Sequence, residues 1–252
     1  MAGKLPTELI PVLHDNYAYR LTYAPNSIAV VDPPVVQPFL DGLSGRVITH
    51  ILVTHHHPDH TAGILELKKK TGARVIGPND PRVPGVDQVA CPGDRIELGE
   101  HYLSVMDFKG HTQSLIGYAN ASGKQLWCGD LIFGAGCGRM FEGTAEEFLA
   151  SIDQLEELSS DWAIFCGHEY TERNLKFAQT VEPHNSRITQ RLELVAELRK
   201  MGEPTVPLNL GEERATNPFL RCHAPDAKFI VECDHRNPVS LFAALRLARD
   251  QF

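Results

Sequence analysis

The chain lacks any long uncharged apolar run, any extended block of lysine and arginine, and any C-x-x-C pair. The first absence excludes a membrane-spanning helix, which needs about 20 consecutive apolar residues. The second argues against a nucleic-acid binder, which shows a basic patch or stripe; the formal net charge is −8. The one basic cluster, Lys68-Lys69-Lys70, follows apolar positions at helical spacing and reads as a solvated helix face. The third absence disfavours a cysteine zinc site or a thioredoxin-like motif for Cys91, Cys128, Cys137, Cys166, Cys222 and Cys233. A chain of 252 residues needs no disulfide framework, and free thiols suit a reducing compartment. The opening Met1-Ala2-Gly3-Lys4-Leu5-Pro6 lacks the charged-then-apolar pattern of a secretory leader, so the cytoplasm is the expected compartment. No internal repeat or low-complexity segment occurs, and a monomer is expected, with neither nucleic acid nor membrane as partner.

What is present is an ordinary globular composition, 42% hydrophobic and 22% charged, in a chain long enough to bury a substantial core. Alternation predicts strands over residues 8–13 and 17–23 with His14-Asp15-Asn16 as the turn. Residues 27–32 form a short apolar run stopped by Pro33-Pro34 and read as a buried strand. Residues 35–43 read as a helix, 47–54 as a second buried strand, 61–70 as a helix and 74–77 as a strand. From 95 to 133 strand signals dominate, in runs at 95–98, 103–108, 116–118 and 125–128 separated by glycine-bearing turns. Thr144 with Glu147 matches a capping box opening a helix over 144–158, and 162–165 is a last short strand. Over 169–201 strand runs stop and helical periodicity takes over (Leu192, Val195, Leu198); 237–252 reads as a final helix. The expected organisation is a mixed strand-and-helix domain over 1–168 and a smaller helical domain over 169–252.

The chemistry concentrates at Thr54-His55-His56-His57-Pro58-Asp59-His60, where a buried strand delivers imidazoles and a carboxylate at its C-terminal end. These are natural ligands for zinc and similar divalent ions. Alternate residues on a strand-to-loop path, His55 with His57 and His57 with Asp59, can point the same way, and Asp59 and His60 begin the next helix. Three further ligand-type residues follow strand ends beside glycines: His111 in Gly110-His111-Thr112, Asp130 in Gly129-Asp130, and His168 in Gly167-His168. Asp32 reads either as a partner that orients a ligand histidine or as a plain strand-end turn.

The set T-H-x-H-x-D-H, G-H-T, G-D and G-H resembles the metallo-β-lactamase superfamily. Within it the chain resembles the glyoxalase II (hydroxyacylglutathione hydrolase) family over essentially its whole length. The specific motifs are Asp15-Asn16-Tyr17, Gly136-Cys137-Gly138-Arg139, Phe141-Glu142-Gly143-Thr144, Cys166-Gly167-His168-Glu169-Tyr170-Thr171, Asn174-Leu175-Lys176-Phe177-Ala178, Asn217-Pro218-Phe219-Leu220-Arg221 and the closing 246–252. The resemblance implies an α+β fold, an αββα sandwich followed by a smaller C-terminal α-helical domain. It implies two divalent metal ions, zinc first with iron or manganese as alternatives. His55, His57 and His111 would hold one, Asp59, His60 and His168 the other, and Asp130 would bridge them, with Asp59 and Asp130 as the catalytic carboxylates; His56 matches a non-ligand position.

The implied reaction is hydrolysis of S-D-lactoylglutathione, and of other S-2-hydroxyacylglutathiones, to glutathione and D-lactate, the second step of methylglyoxal detoxification. A hydroxide bridging the two cations would attack the thioester carbonyl. Arg139, Arg246 and Arg249 match positions that hold the glycyl carboxylate of glutathione, and Tyr170 matches a tyrosine of the same pocket; arginine can grip a carboxylate bidentately. Arg139 and Phe141 stand where lysine and tyrosine are common. A glutathione-linked persulfide dioxygenase, or another hydrolase of the same fold, is the alternative; neither is expected to keep the helical tail bearing Arg246 and Arg249.

Overall fold

β-branched and aromatic runs bounded by glycine, proline and polar turns give the chain its strands. The computed structural model describes residues 3–252. Met1 and Ala2, part of the opening stretch considered above for a leader, lie outside the described residues. The chain forms two compact units. One takes in the chain up to Asp107 together with Ser114–Gly129, and the other takes in Phe108–Gln113 and Asp130–Phe252.

The first unit opens with a mixed six-stranded sheet in sequential order: β1 (Thr7–Val12), β2 (Asn16–Ala24), β3 (Ser27–Val31), β4 (Val47–Leu52), β5 (Arg74–Gly77) and β6 (Gln88–Val89). β1, β2 and β3 pair antiparallel; β3 to β6 pair parallel. Parallel strands buried on both faces read as continuous apolar runs, and Ile48, Ile51, Leu52 and Val53 are all buried. Short helices α1 (Gln37–Leu40), α2 (Pro58–Thr61) and α3 (Ile64–Thr71) connect them. Phe39, Ile64 and Leu67 pack with Ile28, Val30 and Val75 in one apolar cluster. Lys69 and Lys70 are exposed, as a solvated helix face requires.

β7 (Arg95–Leu98), β8 (His101–Asp107), β9 (Ile116–Asn120) and β10 (Gln125–Gly129) then pair antiparallel in order. The Tyr118 hydroxyl ties this layer to the first sheet by donating to the Val53 carbonyl at 2.8 Å.

The second unit holds the hairpin β11 (Ile132–Phe133) and β12 (Gly136–Cys137), the pair β13 (Ala163–Cys166) and β14 (Leu208–Asn209), and the longer helices. These are α4 (Ala145–Asp153), α5 (Thr171–Val181), α6 (Ser186–Lys200), α7 (Leu210–Thr216) and α8 (Pro238–Gln251). Leu175 and Ala178 of α5 pack on Ile188 and Val195 of α6 and on Ala135. Phe242 of α8 meets Phe148 of α4 edge-on, with ring centroids 5.5 Å apart.

Three helices are shorter than their sequence patterns suggest. The helix expected over 35–43 is confined to Gln37–Leu40, because Pro38 sits in its first turn and Asp41 is already extended. The helix expected over 61–70 is split, since Gly63 donates its N–H to the Pro33 carbonyl. The helix expected over 144–158 has the capping box of Thr144 and Glu147, but tightens into a 3-10 turn over Gln154–Glu157. Among the described residues no helix is long and apolar enough to cross a membrane, and all six cysteines are free thiols.

Candidate metal centre

The seven ligand-type residues divide between the units: His55, His57, Asp59 and His60 in the first, His111, Asp130 and His168 in the second.

In the first unit the donors emerge where β4 ends. Val53 still donates to the Ile76 carbonyl, and the next residue, Thr54, donates its N–H to Asp32 Oδ1 at 2.8 Å. Asp32 is 4% exposed. Its φ of +49° is a left-handed conformation uncommon for a residue other than glycine. That turn sets its carboxylate under two candidate ligands. His60 Nδ1 lies 3.0 Å from Asp32 Oδ2, and the Thr54 hydroxyl donates to the same oxygen at 2.6 Å. An ionised carboxylate only accepts, so His60 Nδ1 carries the proton and Nε2 the lone pair. The Thr54 hydroxyl, having spent its proton on Asp32, accepts from His55 Nδ1 at 3.0 Å, which leaves the His55 lone pair on Nε2 as well. Gly129 makes room for this relay, since a Cβ there would come within 2.4 Å of Thr54 Oγ1.

His55 Nε2 and His57 Nδ1 are 3.1 Å apart. Two nitrogens bound tetrahedrally to one zinc lie about 3.3 Å apart, so this spacing fits a shared cation. Asn16 donates from Nδ2 to Asp59 Oδ2 at 3.0 Å and so orients that carboxylate. Asp32, His55 and His60 also bring one donor atom each within 4.8 Å of one another. Because both Asp32 oxygens accept from Thr54 and His60, Asp32 acts as the orienting acceptor for this group. Asp32 thus contacts a candidate ligand histidine, as its partner reading expects, while also making the strand-end turn. The beside-lying Asp80 accepts from Arg82 and Ser114, and its Oδ2 lies 3.5 Å from His56 Nδ1.

In the second unit Asp130 is buried, and its Oδ2 has His111 Nε2 and His168 Nε2 each at 3.4 Å. His111 Nδ1 donates to the Arg139 carbonyl at 2.7 Å, so its Nε2 presents a lone pair toward the carboxylate. A lone pair and a carboxylate oxygen facing each other repel unless a proton or a metal cation lies between them, and both atoms are of metal-ligand type. His168 follows β13 and stacks flat on Tyr170, with centroids 4.7 Å apart and an 8° interplanar angle; Phe133 packs edge-on against it. The donor sets of both units are those of a divalent metal site.

The four expected substrate residues all lie in the second unit, and the three arginines among them have different settings. The Arg139 side chain is 61% exposed, 3.6 Å from Asp250 and over the Phe141 ring. Arg246 is only 6% exposed and donates to the Cys137 carbonyl at 3.0 Å, the Gly138 carbonyl at 3.3 Å and Asp250 Oδ1 at 3.1 Å. It therefore braces the Cys137–Arg139 segment whose carbonyl holds His111. Arg249 is half-buried and donates from Nε to Asn174 Oδ1 at 3.0 Å. Burial, then the like charges of Arg173 and Arg246, lower its pKa to about 10. Burial pushes the Cys137 thiol up to about 11, so it stays protonated and is no nucleophile near neutral pH. Sequence reasoning assigned no role to Asn16 or Asn174; only their place in the motifs Asp15-Asn16-Tyr17 and 174–178 marked them.

Residues 24–168 match the family described as metallo-beta-lactamase superfamily, and residues 169–252 match that described as hydroxyacylglutathione hydrolase C-terminus. A hydroxyacylglutathione hydrolase of Rhodospirillum rubrum is 42% identical over 248 residues, covering 96% of this chain and 97% of the relative. One of Methylococcus capsulatus is 42% identical over 249 residues, with the same coverage of 96% and 97%. Among solved structures, ETHE1 from Myxococcus xanthus superposes with a TM-score of 0.65 at 20% identity, over 97% of this chain and 98% of that one. That likeness speaks for the fold alone. The expected α+β fold, a metallo-β-lactamase fold with a C-terminal helical region, is the one the chain has. Near-full-length identity and both family matches agree: the chain belongs to the hydroxyacylglutathione hydrolase family of the metallo-β-lactamase superfamily.

Proposed function

We propose that this chain hydrolyses S-D-lactoylglutathione and related S-2-hydroxyacylglutathiones to glutathione and the free 2-hydroxy acid. The site we propose takes His55, His57 and His111 for one divalent cation and Asp59, His60 and His168 for a second, with Asp130 shared. The observation that carries this reading is the buried Asp130 Oδ2 with two histidine Nε2 atoms at 3.4 Å, a convergence of donors that supports Asp130 as common to both proposed ligand sets. Zinc is proposed first on the imidazole and carboxylate donor set, with iron or manganese as competent replacements. Bound cations supply an activated water and a Lewis acid for the thioester carbonyl.

The chain's own residues supply orientation and charge. Asp32 and the Arg139 carbonyl hold His60 and His111 in the tautomer that presents Nε2. Asp59 and Asp130 would balance the positive charge of bound cations. The Tyr170 ring keeps His168 in place through its flat stack. Arg139 and Arg249 are proposed to face the glycyl carboxylate of glutathione, with Arg246 supporting the segment that carries Arg139. On this reading residues 1–168 are the metal-binding catalytic domain and 169–252 the substrate-binding one. A cytoplasmic monomer is proposed, on the free cysteines and the ordinary composition.

The test is direct. After loading with zinc, iron or manganese, purified protein is expected to release glutathione from S-D-lactoylglutathione, with two metal ions counted per chain. No turnover with any of the three overturns the reading. Turnover with one ion per chain removes its two-metal part.

A further inference from the structure

Asn174 on α5 is 3% exposed, and both ends of its amide are in use. Nδ2 donates to the Gly134 carbonyl at 3.0 Å, and Oδ1 accepts from Arg249 Nε at 3.0 Å. With the N–H committed to a carbonyl, the amide cannot flip without losing both bonds, so the oxygen is held toward Arg249. Among the described residues, Arg249 makes no ion pair. Its guanidinium carbon lies 6.0 Å from the Phe177 ring centroid and 5.9 Å from that of Phe252. After burial, the like charges of Arg173 and Arg246 act on it most strongly, against a weaker attraction from Asp250, which is itself engaged by Arg246. A half-buried cation with two like charges acting on it, no ion pair and its hydrogen bond spent on a neutral amide is a costly arrangement, offset when an anion arrives. The identity of residue 174 matters for this. A carboxylate there would pair with the guanidinium and cancel its charge, whereas an amide directs Nε and leaves the charge and the Nη fork for another acceptor.

We propose that Asn174 is a positioning residue, which aims the Arg249 guanidinium at the glycyl carboxylate of the substrate's glutathione moiety and, being neutral, keeps that cation unpaired for it. This rests on the thioesterase reading above. The test is steady-state kinetics of the metal-loaded enzyme on S-D-lactoylglutathione and on its analogue with the glycyl carboxylate converted to a primary amide. Asn174→Ala and Asn174→Asp are each expected to raise KM for the natural thioester on the order of tenfold, with kcat within about twofold. On the amide analogue the same variants are expected to behave like the unsubstituted enzyme. In a double-mutant cycle, Asn174→Ala added to Arg249→Met is expected to change KM no further.

Asn174→Asp preserves shape, so it keeps the test open where Asn174→Ala folds poorly; an aspartate variant with unchanged KM sinks the charge-preserving role. Equal KM increases on both substrates, a fall in kcat alone, or additivity in the cycle also overturn the proposal. If the unsubstituted enzyme releases no glutathione at all, the thioesterase reading itself has failed. Normal turnover with insensitive variants removes only the role of Asn174.

Discussion

Asp32 Oδ2 lies 3.0 Å from His60 Nδ1, and the two residues are 28 positions apart in the chain. The same oxygen accepts from Thr54, which in turn accepts from His55. One buried carboxylate thus sets the tautomers of two candidate metal ligands, one directly and one through a hydroxyl. Removing such an outer partner costs 10–100-fold in metal affinity as a rule. Asp32→Asn is expected to weaken zinc binding by about that factor, read by competition with a chromophoric chelator. Unchanged affinity would mean that Asp32 only shapes the turn.

Asn16 bears on Asp59 in a similar way, through its 3.0 Å bond to Oδ2. Asn16→Ala releases that carboxylate to rotate. The expected result is loss of one metal ion per chain at limiting zinc, measured by elemental analysis after gel filtration, with activity lowered about 10–100-fold. A variant that keeps two ions and full activity removes Asn16 from the site's support.

Gly110 stands next to His111 with φ of +137°, and a Cβ there would fall 2.2 Å from Phe148 Cγ. Phe148 is fully buried, so neither side can yield cheaply. Gly110→Ala combines backbone strain with overpacking and is expected to cost about 3 kcal/mol or more in urea unfolding. A loss under about 1 kcal/mol would show that the segment around His111 repacks easily.

Glu213 of α7 and Arg191 of α6 form a fully buried ion pair, to which the Ala135 N–H and Asn217 Nδ2 also donate. Such a pair is a weak source of stability when intact, but breaking it strands a buried charge. Glu213→Ala is therefore expected to destabilise by about 3–5 kcal/mol, and replacement of both partners by apolar residues by much less. Comparable losses in the single and double variants would contradict this account.

Asp80 gives the fold a pH dependence. The Arg82 side chain, followed by the Ser114 hydroxyl, holds its carboxyl well below the usual carboxylate range. The folded pKa lies under the unfolded value of about 3.9, so the stabilisation is complete above that pH and is lost as pH falls below it. Arg82→Met is expected to lower stability at pH 7 and to flatten the fall in stability between about pH 4 and pH 2. Parallel stability–pH curves for the two proteins would exclude Arg82 as the cause.

The sequence by itself determined the features that are local. Alternation and short apolar runs marked most strands within a residue or two, and Thr144 with Glu147 marked a real helix start. The run 54–60 and the glycine-flanked His111, Asp130 and His168 marked the donor chemistry, because side-chain type and strand-end position are both written in neighbouring residues. Only the tertiary structure decided what depends on distant partners. It shortened the helix at 35–43, drew Gly63 out of its helix onto Pro33, brought Asp32 onto His60, and joined Asn174 to Arg249 across 75 positions. It also put Arg246 and Arg249, three residues apart on one helix, to different uses: one spent on backbone carbonyls and Asp250, the other on a single amide. The physical reason is common to all of these. Periodicity reports which face of an element is buried, whereas a side-chain hydrogen bond is settled by which backbone or side chain the fold brings within about 3 Å, and that leaves no repeat in the sequence.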